Sequence, residues 1–268
     1  MKLGVTYNIF DGEEMLPFSL KNLRPMVDFI CVVYQNISNF GNSNDSLEEK
    51  LTKLKEEEGL IDYLYEYEPE ILKDEEGKVK WQNGTFNELE KRNIGLKICR
   101  ANGCDVFMTI DCDELYDESQ FEFAKKDFEL GGYDTSFCKM RTYYKLPTLE
   151  LFPFEEYYAP LFYRIKKETK FSREYSIDYP VLIDPTRRVK AGYSRVYDRE
   201  EIEMYHYAYV RKDLISKTKN SSSQTDVVSQ KKVCYHYDNF KDVNDSALFI
   251  GLQTHTLREV ENKFNIEI

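Results

Sequence analysis

Short apolar runs alternate with longer amphipathic stretches along the first half of the chain, the rhythm of a sheet wound with helices. Residues 3–7 (Leu-Gly-Val-Thr-Tyr) predict a first strand. Residues 13–22 have helical spacing, with Leu16, Leu20 and Leu23 on one face and Pro25 to stop them. Residues 27–34 are almost continuously apolar, the pattern of a parallel strand covered on both faces. A polar loop (35–46), a charged amphipathic helix (47–58) and a third short strand (61–67) follow. After a polar loop over 74–84, residues 86–102 predict a helix and 106–110 (Val-Phe-Met-Thr-Ile) a buried strand. The order β-α-β-α-β-loop-α-β predicts an α/β fold with a doubly wound, mostly parallel central sheet.

Beyond residue 117 the alternation weakens. A helix is expected over 121–130, ended by Gly131-Gly132, and a strand over 134–144. Between 145 and 200, Pro147, Pro153, Pro160, Pro180 and Pro185 stand among aromatic and basic residues. That composition predicts irregular structure with short strands, suited to a substrate-facing wall. A helix is expected over 210–219 and a polar surface loop over 219–224, while the mixed pattern of 245–268 predicts no element.

Composition narrows the class. The chain has 268 residues, 41% of them hydrophobic, enough for one large domain or two small ones. A charged fraction of 32% and a mean hydropathy of −0.61 suit a soluble protein. No apolar run approaches the roughly 20 residues that span a bilayer, so no transmembrane segment is expected. The N-terminus lacks a signal-peptide pattern, and the expected location is cytoplasmic or peripheral to a membrane. Six cysteines, none in a Cys-x-x-Cys pair, fit a reducing compartment better than a disulfide framework. A net charge of −11 gives no basic face of the kind duplex DNA binders use, so general nucleic-acid binding is not expected. Many of the 21 tyrosines fall between residues 143 and 209; aromatic faces suit sugar rings and ordinary cores alike.

The chemistry concentrates where the 106–110 strand ends, in Asp111-Cys112-Asp113-Glu114. Strand alternation would put Asp111 and Asp113 on one side of the chain. Two carboxylates so placed repel unless a cation sits between them. The stretch therefore predicts a divalent-metal site at the carboxyl edge of the sheet, where open α/β folds bind ligands. Read alone, the tetrapeptide also fits a solvated acidic loop.

Arg92-Asn93-Ile94-Gly95-Leu96 precedes the acidic stretch by one helix, and Gly103, Asp105 and the apolar strand lead into it. With these residues, about the first 120 positions resemble the family-2-like glycosyltransferases of the GT-A fold, whose pattern is an Arg-Asn-x-Gly helix, a glycine-bearing turn, then a strand ending in Asp-x-Asp. The resemblance implies a metal-dependent transfer of sugar from a UDP- or GDP-sugar to a hydroxyl acceptor, usually a glycan, with Mn²⁺ or Mg²⁺. It implies that Asp113 holds the metal and that Asp111 contacts the donor ribose or a metal-bound water, sharing the metal site. Arg92 and Asn93 stand on the donor side. His206, set in Met204-Tyr205-His206-Tyr207, would return to the metal, with Arg211 and Lys212 beside the diphosphate. By itself such a histidine also fits a structural residue. Asn8 and Gln35 stand at the strand edges that grip base and ribose; many relatives have an acid where this chain has Gln35-Asn36.

Glu13 and Glu14 are expected to start the first helix, where acids suit its dipole. Asp184-Pro185-Thr186-Arg187-Arg188 predicts a turn whose arginines either bind an anion or lie in solvent. Glu156 is the candidate acceptor base, with Asp178 and Glu201 in competition. The expected division is a donor half (1–118), an acceptor half (119–215) and a C-terminal extension (216–268). Alternatives are a nucleotidyltransferase, a calcium module, or a non-catalytic carbohydrate-binding protein built on the fold. The first expects a basic glycine-rich loop where residues 8–14 are acidic. The second expects a glycine and a twelfth-position acid that the stretch after Asp111 lacks.

Overall fold

A computed structural model of the chain describes all residues except 81, 176–178, 191, 222–226, 242, 244–247 and 251–252, and describes 227–230, 232, 248 and 249 by backbone alone. The elements are β1 (Leu3–Ile9), α1 (Leu16–Leu23), β2 (Phe29–Tyr34), α2 (Leu47–Glu56), β3 (Tyr63–Glu66), α3 (Gln82–Ala101), β4 (Val106–Ile110), β5 (Glu114–Tyr116) and α4 (Glu118–Gly131). Then come β6 (Thr135–Tyr144), β7 (Leu149–Phe152), β8 (Tyr158–Arg164), a 3-10 turn (Pro185–Arg187), β9 (Ser194–Val196) and β10 (Glu203–Tyr209). The C-terminal part holds α5 (Leu214–Asn220), α6 (Val227–Asp238), β11 (Leu248–Ile250) and β12 (Gln253–Glu259).

The fold is a mixed α/β sheet with a parallel core. Strands run in the order β11-β12-β7-β6-β8-β4-β1-β2-β3, and β3, β2, β1 and β4 are mutually parallel. Every residue of β2 and β4 is buried, as their almost wholly apolar sequences require, with Thr109 the one polar residue. From β1 the chain winds outward to β2 and β3, then returns through α3 to β4 on the other side of β1. That reversal makes a crevice between the carboxyl ends of β1 and β4, where Tyr7 lies beside Ile110. Gly95 lets α3 approach closely, since a Cβ there would stand 2.4 Å from Thr6 Cγ2 of β1. The remaining strands mix antiparallel and parallel pairs, and β8 joins the parallel core by running antiparallel to β4.

Several boundaries differ from the expected ones for local reasons. Helix α1 begins at Leu16, with Pro17 in its first turn, after Gly12 has turned the chain at φ +86°. Glu13 therefore lies ahead of the helix, paired with Lys50 at 3.0 Å. The helix expected from residue 210 begins at Leu214, because the Asp213 side chain caps it by accepting from Ser216 N. The tail, for which no element was expected, supplies β12 as a partner to β7. All six cysteines are free. Among the described residues no helix is long and apolar enough to cross a membrane.

Candidate functional site

The acidic stretch leaves β4 as a tight turn, closed by Glu114 N–H donating to the Asp111 carbonyl at 3.2 Å. Residues 114–116 then form β5, which sequence periodicity does not resolve because the strand is only three residues long. Asn22 of α1 fixes β5 by bonding both the N–H and the C=O of Tyr116, each at 2.9 Å. On its other side β5 pairs with β10, His206 opposite Glu114, and Tyr207 N–H donates to the Asp113 carbonyl at 2.8 Å. This pairing carries His206 across about ninety residues of chain to the turn.

At the turn Asp111 and Asp113 line one cavity, and each carboxylate faces its own pair of cations. Asp111 meets Arg187 at 2.6 Å and Arg92 at 3.9 Å. Asp113, 2% exposed, accepts through Oδ2 from Arg211 at 2.7 Å and Lys217 at 2.8 Å. Its Oδ1 faces His206 Nε2 at 3.8 Å. Burial alone would raise the Asp113 carboxyl, but Lys217 and Arg211 hold it well below the usual carboxylate range. Burial lowers the His206 imidazole against the pull of Asp113. Glu114 lies beneath, bonded twice by Arg187, at 2.5 and 3.2 Å. Burial, with Asp111 and Asp113 close by, pushes its carboxyl up to about 7 against that arginine.

All of these groups except Glu114 and Arg187 border a cavity of about 520 Å³ at the crevice between β1 and β4. Asn8, Arg92, Asp111, Asp113, His206 and Arg211 all line it. Its polar lining is unfinished: among the described residues, Asn8 Nδ2 and Oδ1, His206 Nδ1 and Arg211 Nε are buried without a hydrogen-bond partner. Buried polar groups are seldom left so unless a ligand or water meets them. Arg92 is buried and donates to Thr109 Oγ1 at 2.7 Å, with its Nη2 3.9 Å from both Asp111 and Asp184.

Other expected site residues are placed elsewhere. Asn93 does not line the cavity; its amide exchanges two bonds with the Phe171 backbone, at 2.8 and 3.1 Å. Gln35 is buried outside the lining, donating to Asn39 Oδ1 at 3.2 Å while its own Oε1 has no partner among the described residues; Asn39 is the lining residue. Glu156 is exposed and outside the lining, in the loop between β7 and β8. Glu201 bonds Arg195 and Asp198 N–H, and Asp178 lies outside the described residues. Arg187, for which a place in solvent was one option, is instead buried between Asp111 and Glu114.

Periodicity also gave no sign of Lys217, Asp11, Asp184 or Lys91 as lining residues. Lys217 sits in a helix whose pattern reads as an ordinary polar face, and the Asp184 side chain caps the 3-10 turn that delivers Arg187.

Among the described residues no group of three or more His, Cys, Asp or Glu side chains is gathered as a self-sufficient metal cage. A smaller donor set could hold a cation only with further ligands from a bound molecule. Asp113 Oδ1 and His206 Nε2, 3.8 Å apart, are the two groups that could hold such an ion. Magnesium-type sites commonly take one or two protein groups and complete their shell with substrate phosphates.

No protein-family model matches the chain, and no curated protein sequence does. Solved structures overlap it in part. S. aureus TarS is 13% identical over 77% of this chain and 37% of its own, with a TM-score of 0.47. A structure of GalNAc-T7 with UDP, GalNAc and Mn²⁺ is 11% identical over 88% of this chain and 54% of its own, with a TM-score of 0.43. TarS 1–349 in complex with UDP-GlcNAc is 15% identical over 53% and 35%, with a TM-score of 0.37. The chain spans about a third to a half of the length of these proteins.

Proposed function

We propose that this protein is a glycosyltransferase that moves a sugar from a nucleoside-diphosphate sugar, UDP- or GDP-linked, to a hydroxyl acceptor such as a glycan. The observation that carries the reading is the convergence of a carboxylate–imidazole pair with two cations at the sheet crevice. Asp113, His206, Arg211 and Lys217 meet there beside an Asn8 amide that bonds nothing among the described residues. Such a site can receive a ligand that is anionic in its middle and polar at one end.

In the transfer, the bond between the sugar's anomeric carbon and a phosphate oxygen breaks, the acceptor oxygen takes the carbon, and its proton passes to the departing diphosphate or to water. Negative charge grows on the departing diphosphate, and groups fixed beside it in advance lower the barrier. Asp113 and His206 would hold Mn²⁺ or Mg²⁺, which supplies Lewis-acid neutralisation of that charge. Lys217 and Arg211 would donate hydrogen bonds to phosphate oxygens. Asn8, with donor and acceptor both open, suits the edge of a nucleobase, with Asn39 and Gln35 behind it. Arg92 and Arg187 hold Asp111 at the cavity rim, where 41% of its side chain is exposed to meet a ribose hydroxyl or a water.

The test is a panel of UDP- and GDP-sugars incubated with the protein and Mn²⁺, with release of free UDP or GDP followed by chromatography. Slow hydrolysis of one donor class is expected, falling by about a hundredfold or more in Asp113→Ala. A panel with no nucleotide released, together with no thermal shift from UDP or GDP plus Mn²⁺, would sink the reading. Pyrophosphate release from a nucleoside triphosphate would instead favour nucleotidyl transfer.

A further inference from the structure

Two cations share a single oxygen of Asp113. Arg211 and Lys217 both donate to Oδ2, while among the described residues Oδ1 accepts no hydrogen bond. Arg211 also stands 3.7 Å from Asp11. Two carboxylates and two cations thus balance the charge of this corner with no added ion.

The two cations are held differently. Arg211 is built in: its side chain is 4% exposed, and Gly12 leaves it room, since a Cβ there would stand 2.7 Å from Nη1. Lys217 reaches in from α5 on a flexible stem, with 25% of its side chain exposed in the cavity wall. A second bond, to the Ala208 carbonyl at 2.8 Å, steadies its ammonium.

We infer that Lys217 is an exchangeable counter-ion of Asp113 and makes metal binding conditional on the nucleoside diphosphate. The inference rests on the glycosyltransferase reading above. A divalent ion entering between Asp113 and His206 alone would meet a corner already neutral and an ammonium on the neighbouring oxygen. Coulomb repulsion then opposes it. A diphosphate arriving with the ion brings negative charge and offers Lys217 new oxygens to bond. Metal and nucleotide therefore help each other to bind, and the coupling is reciprocal. Arg211 remains on Asp113 throughout and keeps the carboxylate oriented.

The experiment titrates the full chain with Mn²⁺ and follows the free ion by electron paramagnetic resonance, with and without saturating UDP or GDP. In the wild type, one of the nucleotides is expected to tighten Mn²⁺ binding by about tenfold or more. Lys217→Met should bind Mn²⁺ alone about tenfold more tightly than the wild type, and its nucleotide coupling should shrink. Lys217→Arg, which keeps the charge, should retain the wild-type pattern. Equal Mn²⁺ affinity with and without nucleotide in the wild type overturns the inference, whatever the variants do. So does a folded Lys217→Met whose affinity for Mn²⁺ alone is unchanged or weaker. Both results leave the glycosyltransferase reading standing if Mn²⁺ and nucleotide bind. A wild type that binds neither UDP nor GDP, with or without Mn²⁺, removes that reading and this inference together.

Discussion

Asp111, Asp113 and Glu114 are near neighbours in the chain, yet each is charged or discharged by a different part of the fold. Asp113 is held ionised by Lys217 and Arg211, and Asp111 by Arg187 and Arg92, in each case against burial. Glu114, buried beneath both, is the member pushed the other way, up to about 7 from 4.5. Its sign follows from linkage. Between those two values the unfolded chain has released the Glu114 proton while the folded chain still holds it, so stability falls as pH rises through this window. The effect amounts to at most about 3 kcal/mol. Glu114→Gln cannot titrate. Compared with the wild type by urea unfolding at about pH 5 and about pH 7.5, it should gain relative stability at the higher pH. An unchanged difference between the two pH values would show that Arg187 keeps Glu114 ionised throughout. At this scale the sequence showed the acids but not their partners. Arg187 and Lys217 stand 73 and 104 residues away from the groups they bond.

Helix α3 is the element on which the site's geometry turns. It places Arg92 beneath the cavity and lies against β1 through Gly95, in a gap that holds no side chain. Gly95→Ala would drive a methyl into Thr6, and because the nearest atoms belong to a buried strand residue, the helix itself must shift. A loss of about 1–3 kcal/mol is expected, read by urea denaturation. Under the proposed function, donor hydrolysis should fall with it, since Arg92 moves with the helix. A fully stable Gly95→Ala with wild-type turnover would mean that the packing is looser than this. The helix and its glycine were legible in the sequence, because a 20-residue element carries several turns of pattern. Strand β5 was not legible. Three residues carry no periodicity, and β5 exists because Asn22 and β10 bond it on either side.

Across the whole molecule, stability should be greatest where both faces of the sheet are covered. Strands β1, β2 and β4 are almost wholly buried, whereas β3 at the edge is largely exposed. Native-state hydrogen exchange should find the amides of β1, β2 and β4 slowest and those of β3 faster by a wide margin. Comparable protection in all four would contradict a core centred on β1. This parallel core was the part that the chain announced by itself. Apolar runs, amphipathic helices and their order are local properties, and a local pattern suffices to specify which segments must be covered on both faces. The sequence likewise determined where the acids stand, at the end of β4. What only the tertiary structure decided was their chemistry: which cation each one meets, that His206 arrives through β10, and that Lys217 faces Asp113 rather than water. Arg92 apart, those contacts join segments some seventy or more residues distant in the chain, and charge pairing across such distances depends on strand register and helix placement, which no local run of residues encodes.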